Sequence, residues 1–135
     1  MDSALPPIVP YLTVRDVRSA LEFYARAFDA ETLMLLDDAN GVYHARTSIA
    51  GGLVMLFEEK TGAYAENRAP GAYGGSPVAM RIELGDPERV DLTTAQARAA
   101  GAEVIVAPTE RPWGRLAEIR DPEGHIWRLA ASARS

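Results

Sequence analysis

The sequence predicts an α+β domain of two repeated β-α-β-β-β modules. Their strands form a curved mixed sheet around a shared cleft, with the helices on the convex side. Three observations predict this. Short stretches that alternate apolar and polar residues are interrupted by a stretch of helical period after Asp16 and by a capped helix start at Asp86-Pro87. The order of elements in the first half returns in the second. The last two strands are joined by Asp121-Pro122-Glu123-Gly124, where Pro presets φ and Gly can take the positive φ that closes a tight turn.

Ile8 to Val14 alternates as a strand, and Pro10 removes a ladder donor, which suits an edge or a bulge. Asp16 is a good N-cap, and Val17, Ala20, Leu21, Tyr24 and Phe28 share one helical face, giving a helix to about Ala27. Three strands follow: Glu31 to Leu36, Val42 to Ile49, and Leu53 to Phe57, with turns at Asp37 to Gly41 and at Gly51-Gly52. Glu58 to Pro77 is rich in Gly, Pro, Tyr and Ala without a sustained period, and reads as a connecting loop. Val78 to Leu84 restarts the series. Asp86 caps a second helix with Pro87 at its first position, and Gly101 ends it. Glu103 to Val106 is a strand, and the hairpin within Trp113 to Leu129 closes the chain.

The two halves match in detail. Ala27 to Glu31 (AFDAE) answers Ala99 to Glu103 (AAGAE) at an interval of 72 positions. Gly52 answers Gly124, and Leu56 answers Arg128, at that same interval of 72, while the first strands match at 70. One module therefore spans about 8–58, a loop about 59–77, and a second module about 78–131, all in a single domain.

Composition narrows the function classes. The chain has 135 residues, 47% apolar and 24% charged, the make-up of a globular domain. A net charge of −5 argues against nucleic acid, which needs Lys and Arg concentrated on one face. With no cysteine there is no disulfide, thiolate nucleophile or cysteine metal site. The opening MDSALPP has no basic region followed by an apolar run, and no stretch is long and apolar enough for a bilayer, so a cytoplasmic protein without a membrane partner is expected. There is no GxxxxGK phosphate loop, dinucleotide fingerprint or Ser-His-Asp signature.

Strand alternation predicts which side chains line the cleft. In the first module these are Val9, Tyr11, Thr13, His44, Arg46, Ser48, Val54, Leu56 and Glu58. In the second they are Ala79, Arg81, Glu83, Leu116, Glu118, Arg120, Ile126 and Arg128. The opposite parity, including Leu53, Met55, Phe57, Met80, Trp127 and Leu129, is expected to pack on the helices. The ligand-binding candidates are Tyr11, His44, Arg46, Leu56, Glu58, Arg81, Trp113, Glu118 and Arg128. Arg128 needs a partner in such a cleft: either Glu118, Glu58 or Glu83, or the anionic group of a ligand, which the planar guanidinium fork suits. His44, Glu58 and Glu118 are the candidate general acids or bases, His44 equally serving as a hydrogen-bonding lining residue. His125, with core parity, reads as structural. Trp113 is either a cleft-edge stacking surface or strand packing, and Tyr64 and Tyr73 in the loop either close over a ligand or face water.

Pro10 to Glu31 (PYLTVRDVRSALEFYARAFDAE), Ile49 to Leu56 (IAGGLVML) and Trp113 to Ala130 (WGRLAEIRDPEGHIWRLA) resemble the vicinal oxygen chelate superfamily, most closely its PhnB-like branch. That superfamily holds glyoxalase I, bleomycin-resistance proteins and extradiol dioxygenases. In its metal-dependent members each module gives two ligands, usually His and Glu, one early in its first strand and one in its last. The matching positions here are Val9, Leu56, Ala79 and Arg128, and a slip by one residue in the first strands gives Ile8, Pro10, Val78 or Met80. None is a ligand for a divalent cation, so the resemblance implies no metal and no cofactor. It implies a homodimer that sequesters a small molecule, either an antibiotic or a small organic anion. The alternative is a glyoxalase-type lyase, isomerase or dioxygenase, metal-dependent or using carboxylate or His acid-base catalysis.

Overall fold

Two aspartates start the two helices. The computed structural model describes residues 5–39, 41–59 and 67–133 of the chain. Strand β1 (Tyr11–Val14) runs into α1 (Val17–Phe28), whose N-cap Asp16 accepts from the Ser19 amide at 3.0 Å. Then come β2 (Glu31–Asp38), β3 (Gly41–Ile49) and β4 (Gly52–Glu58). The second module repeats this as β5 (Ala79–Glu83), α2 (Pro87–Ala99), β6 (Glu103–Arg111), β7 (Gly114–Arg120) and β8 (Ile126–Ser132). Asp86 caps α2 by accepting from the Glu88 amide at 2.9 Å.

The strands form two four-stranded mixed sheets, ordered β1-β4-β3-β2 and β5-β8-β7-β6, each with one parallel pair between its first and last strands. The repeated architecture is thus an α+β fold of two equivalent modules. β1 begins later than the sequence alternation suggests, at Tyr11. Pro10 has no N–H to give, although its carbonyl accepts from the Met55 amide at 2.9 Å, and Ile8 stays 86% exposed. β6 runs beyond Val106 to Arg111, as an edge strand whose register shifts twice between Val104 and Thr109, which accommodates Pro108.

One turn length overturns part of the predicted facing pattern. In the first module Ala50 and Gly51, both at positive φ, make a two-residue hairpin turn that pairs Ile49 with Gly52. In the second, Arg120 pairs with Ile126, and Asp121 and His125 close a loop one residue longer. The interval between modules is therefore 73 after the turn: Leu12 pairs with Leu56, whereas Ile82 pairs with Leu129. Leu129, not Arg128, is the counterpart of Leu56. A slip of one residue reverses every side chain of a strand. Val54 and Leu56 accordingly lie in the helix-packed core, and Met55 and Phe57 lie on the other face. The β8 parity is as the alternation predicts, with Trp127 and Leu129 in the core.

The core also joins the modules. Trp127 of β8 packs on Tyr24 and Phe28 of α1, with ring centroids 5.4 and 5.1 Å apart, and α1 packs against α2. Arg15, just before α1, donates to Glu123 and to the Pro122 carbonyl in the β7–β8 turn. The connecting segment seats on that turn as well: a Cβ added at Gly124 would lie 3.0 Å from that of Pro70.

Candidate functional site

Register places the polar groups of the first module in two rows on one face. Tyr11, Met55, Arg46 and Met34 are cross-strand partners in one row; Thr13, Phe57, His44 and Leu36 form the next. Directly paired residues share a face, so Arg46 sits between two methionines and His44 between Leu36 and Phe57. The Tyr11 hydroxyl and His44 Nδ1 are hydrogen-bonded at 2.8 Å, and the Tyr11 ring meets the edges of His44 and Phe57. Burial, and secondly the charge of Arg46, hold His44 below its ordinary pKa. A neutral imidazole can accept at one ring nitrogen and donate at the other. Arg46 Nε is buried and has no hydrogen-bond partner among the described residues. Leaving a charged donor unsatisfied costs about 1–3 kcal/mol or more, a cost that an acceptor reaching Nε would relieve.

The second module presents a different surface. Arg81, Arg128 and Glu118 are partners in one row. Arg128 Nε donates to Glu118 at 3.0 Å, so the protein itself supplies its partner. Arg81 bridges Glu83 at 2.9 Å, donates to Ser132 Oγ, and lies over the Trp113 ring at 5.7 Å. Glu83 is held down to about 2, first by the Ser132 amide and further by the Ser132 hydroxyl, Arg81 and the Gly85 amide. Arg120 pairs with Glu103 across the β6–β7 ladder. The cations of this face are neutralised within the chain.

Besides Val54, two of the expected ligand-binding residues lie elsewhere. Leu56 is fully buried against the helices. Glu58 shares its face: its Oε1 accepts from the Val17 amide at 3.0 Å, at the start of α1, which is a capping position and not one beside His44 or Arg46. Both displacements follow from the shorter β3–β4 turn. Met55 and Phe57 take their places on the face of Tyr11 and Arg46, both buried there, and comparing the two turn lengths in the sequence would have found them. His125 is structural as expected, its amide donating to Asp121 Oδ1 and its Nε2 lying 2.8 Å from the Thr13 carbonyl.

The structure thus gathers Tyr11, His44 and Arg46 on one sheet, and Arg81, Trp113, Glu118 and Arg128 on the other. Two cavities meet at Tyr11 and Thr13. One, of about 150 Å³, adds Phe57 and Asn67; the other, of about 290 Å³, is closed by Arg68, Pro70, Tyr73 and His125. Nothing in the alternation of strands signals that residues 67–77 return to β1. Tyr64 lies outside the described residues.

The residues at the positions that the resemblance assigns to metal ligands offer no donor set for a divalent cation. Val9 and Ala79 offer no donor. The last-strand position of the first module becomes Met55, a thioether that hard and borderline cations disfavour, and Arg128 is itself positive and engaged by Glu118. Among the described residues no three His, Cys, Asp or Glu side chains converge on one point. Nor is any described helix long and apolar enough to cross a membrane.

The fold recurs in known proteins. The family model of the Glyoxalase/Bleomycin resistance protein/Dioxygenase superfamily matches residues 4–129. An uncharacterized protein of Mycobacterium bovis is 35% identical over 132 residues, covering 96% of this chain and 85% of that protein. The crystal structure of TioX from Micromonospora sp. ML1 is 26% identical, with a TM-score of 0.71, covering 96% of this chain and 98% of that one. FosX from Listeria monocytogenes, in complex with Mn(II) and sulfate ion, is 21% identical at a TM-score of 0.71 and 98% and 93% coverage, a likeness of fold. A PhnB protein from Bacillus cereus, 18% identical at a TM-score of 0.70 and 94% and 100% coverage, shares that fold too. With its doubled β-α-β-β-β architecture and a family match over nearly its whole length, the chain belongs to the Glyoxalase/Bleomycin resistance protein/Dioxygenase superfamily.

Proposed function

We propose that this chain is a metal-independent, PhnB-like member of the superfamily that binds a small organic anion on the β1-β4-β3-β2 sheet. The observation that carries the reading is the buried, unpartnered Arg46 Nε beside a histidine kept neutral. Around these donors lie Tyr11, Phe57 and the two methionines, an apolar floor with few polar groups, as small-molecule sites have. Arg128 is the weaker counter-ion, since Glu118 already holds it. Ile8, Tyr11, Val78 and Trp113 leave large apolar surface exposed on and beside these sheets. Pairing of two copies in a cytoplasmic homodimer would cover it. Light scattering that finds only monomers at high concentration would remove that part.

Isothermal titration of metal-stripped protein with small carboxylates and antibiotics tests the reading. The expected result is saturable binding that resists chelator, is weakened at least about tenfold by Arg46→Gln, and returns the ligand unchanged. Binding that appears only after a divalent metal is restored would overturn it. A second reading, acid-base catalysis by His44, rests on its bond to Tyr11. Turnover that fails in His44→Asn, with binding retained, would favour it.

A further inference from the structure

The segment that follows the first module carries a second arginine toward the same site. Arg68 lines the cavity at Tyr11 and Thr13 together with Tyr73 and Pro70. It also borders a larger cavity of about 560 Å³ around the β7–β8 turn, where the other two arginines are already engaged: Arg15 by Glu123, Arg120 by Glu103. The side chain of Arg68, like that of Arg46, makes no hydrogen bond or ion pair with another described residue. Among the described residues the two therefore flank one sheet as cations without a carboxylate partner. Between them run Met55, Phe57 and the Tyr11 ring, with no carboxylate in either row.

Strand order gives the lateral scale of their separation. Arg46 is on β3, and the Arg68 cavity opens at β1, beyond β4. Two strand spacings amount to roughly 10 Å. A ligand bearing one anion would satisfy one arginine and leave the other idle. Resting on the reading of this face as an anion site, we infer that its ligand is an elongated molecule with an apolar or aromatic middle and an anionic group at each end, one held by Arg46 and the other by Arg68, with Tyr73 as a side wall. Charge complementarity and the apolar stretch between the cations carry this assignment.

Suberate, succinate and octanoate separate the possibilities by isothermal titration. Suberate has two carboxylates far apart, succinate has two close together, and octanoate has one. Suberate is expected to bind about tenfold or more tighter than either, because the second charge-assisted contact adds to the first within one molecule. Arg68→Gln, an exposed substitution whose fold is checked by circular dichroism, is expected to bring suberate down to the level of octanoate and to leave octanoate unchanged. Equal affinity of suberate and octanoate for the wild type, or suberate binding that Arg68→Gln does not alter, overturns the inference while octanoate binding lost in Arg46→Gln keeps the anion site. If neither octanoate nor suberate binds, the anion site and the inference fall together.

Discussion

The Tyr24 hydroxyl donates to Asp121 Oδ2 at 2.6 Å, a buried bond between the helix of one module and the last turn of the other. The same oxygen accepts from Trp127 Nε1 at 2.9 Å, while Oδ1 accepts from the amides of Glu123 and His125. Four donors thus satisfy one buried carboxylate, one of them from the other module. Tyr24→Phe removes one donor and keeps the ring packing on Phe28 and Trp127. It should cost about 1–2 kcal/mol, read as a lower urea midpoint with unchanged slope.

The same bond makes stability sensitive to alkali. Burial, and then the neighbouring charge of Asp121, raise the Tyr24 pKa well above 10.0. Folding therefore favours the protonated phenol. Its contribution is complete below the unfolded value near 10 and is lost as pH rises toward the folded one. From about pH 10 upward the wild type should lose more stability than Tyr24→Phe does. Parallel losses in the two proteins would assign alkaline unfolding to other groups.

Arg46 should trade stability for binding. Its Nε is buried without an acceptor, between Met34 and Met55. An apolar side chain of similar length removes that penalty, so Arg46→Met is expected to raise stability by about 1 kcal/mol. Anion binding should disappear in the same variant. A thermal scan in which Arg46→Met melts well below the wild type would show that the guanidinium is satisfied after all.

Much of this was legible in the residues. Asp16, Asp86 and the repeat of Ala27 to Glu31 located both helices and the strands after them, because capping and period are local properties. The parity of β8 could be counted from Gly124, and Glu118 could be named as a partner for Arg128. The parity of β4 could not be carried over from β8, since Ala50-Gly51 closes its hairpin one residue sooner. Arg46 and Arg128 looked alike as cleft cations. Only the register, which puts Glu118 beside Arg128 and methionines beside Arg46, distinguishes them. Arg68 had no sequence signal, because a segment without period does not disclose where it packs.

The short turn itself is improvable. Ala50 holds φ at 52°, in the left-handed region, where a Cβ is disfavoured. Asn or Gly is the residue this turn type prefers at its first central position. Ala50→Asn should stabilise the hairpin by about 0.5–1 kcal/mol with no effect on ligand binding. A fall in melting temperature would mean that Ala50 makes a contact worth more than its backbone strain.

Arg128 offers the sharpest contrast with Arg46. Its guanidinium is more than half exposed and bound to Glu118, 19% exposed, so the pair belongs with exposed ion pairs worth about 0–1 kcal/mol. Arg128→Leu should therefore fold normally, and a double-mutant cycle with Glu118→Gln should give a coupling within that range. If Arg46 is the counter-ion, octanoate affinity stays at the wild-type value in Arg128→Leu and collapses in Arg46→Gln. The reverse pattern would move the anion to the second module. It would require the ligand to displace Glu118 from Arg128, and binding would then tighten in Glu118→Gln, where the arginine is already released.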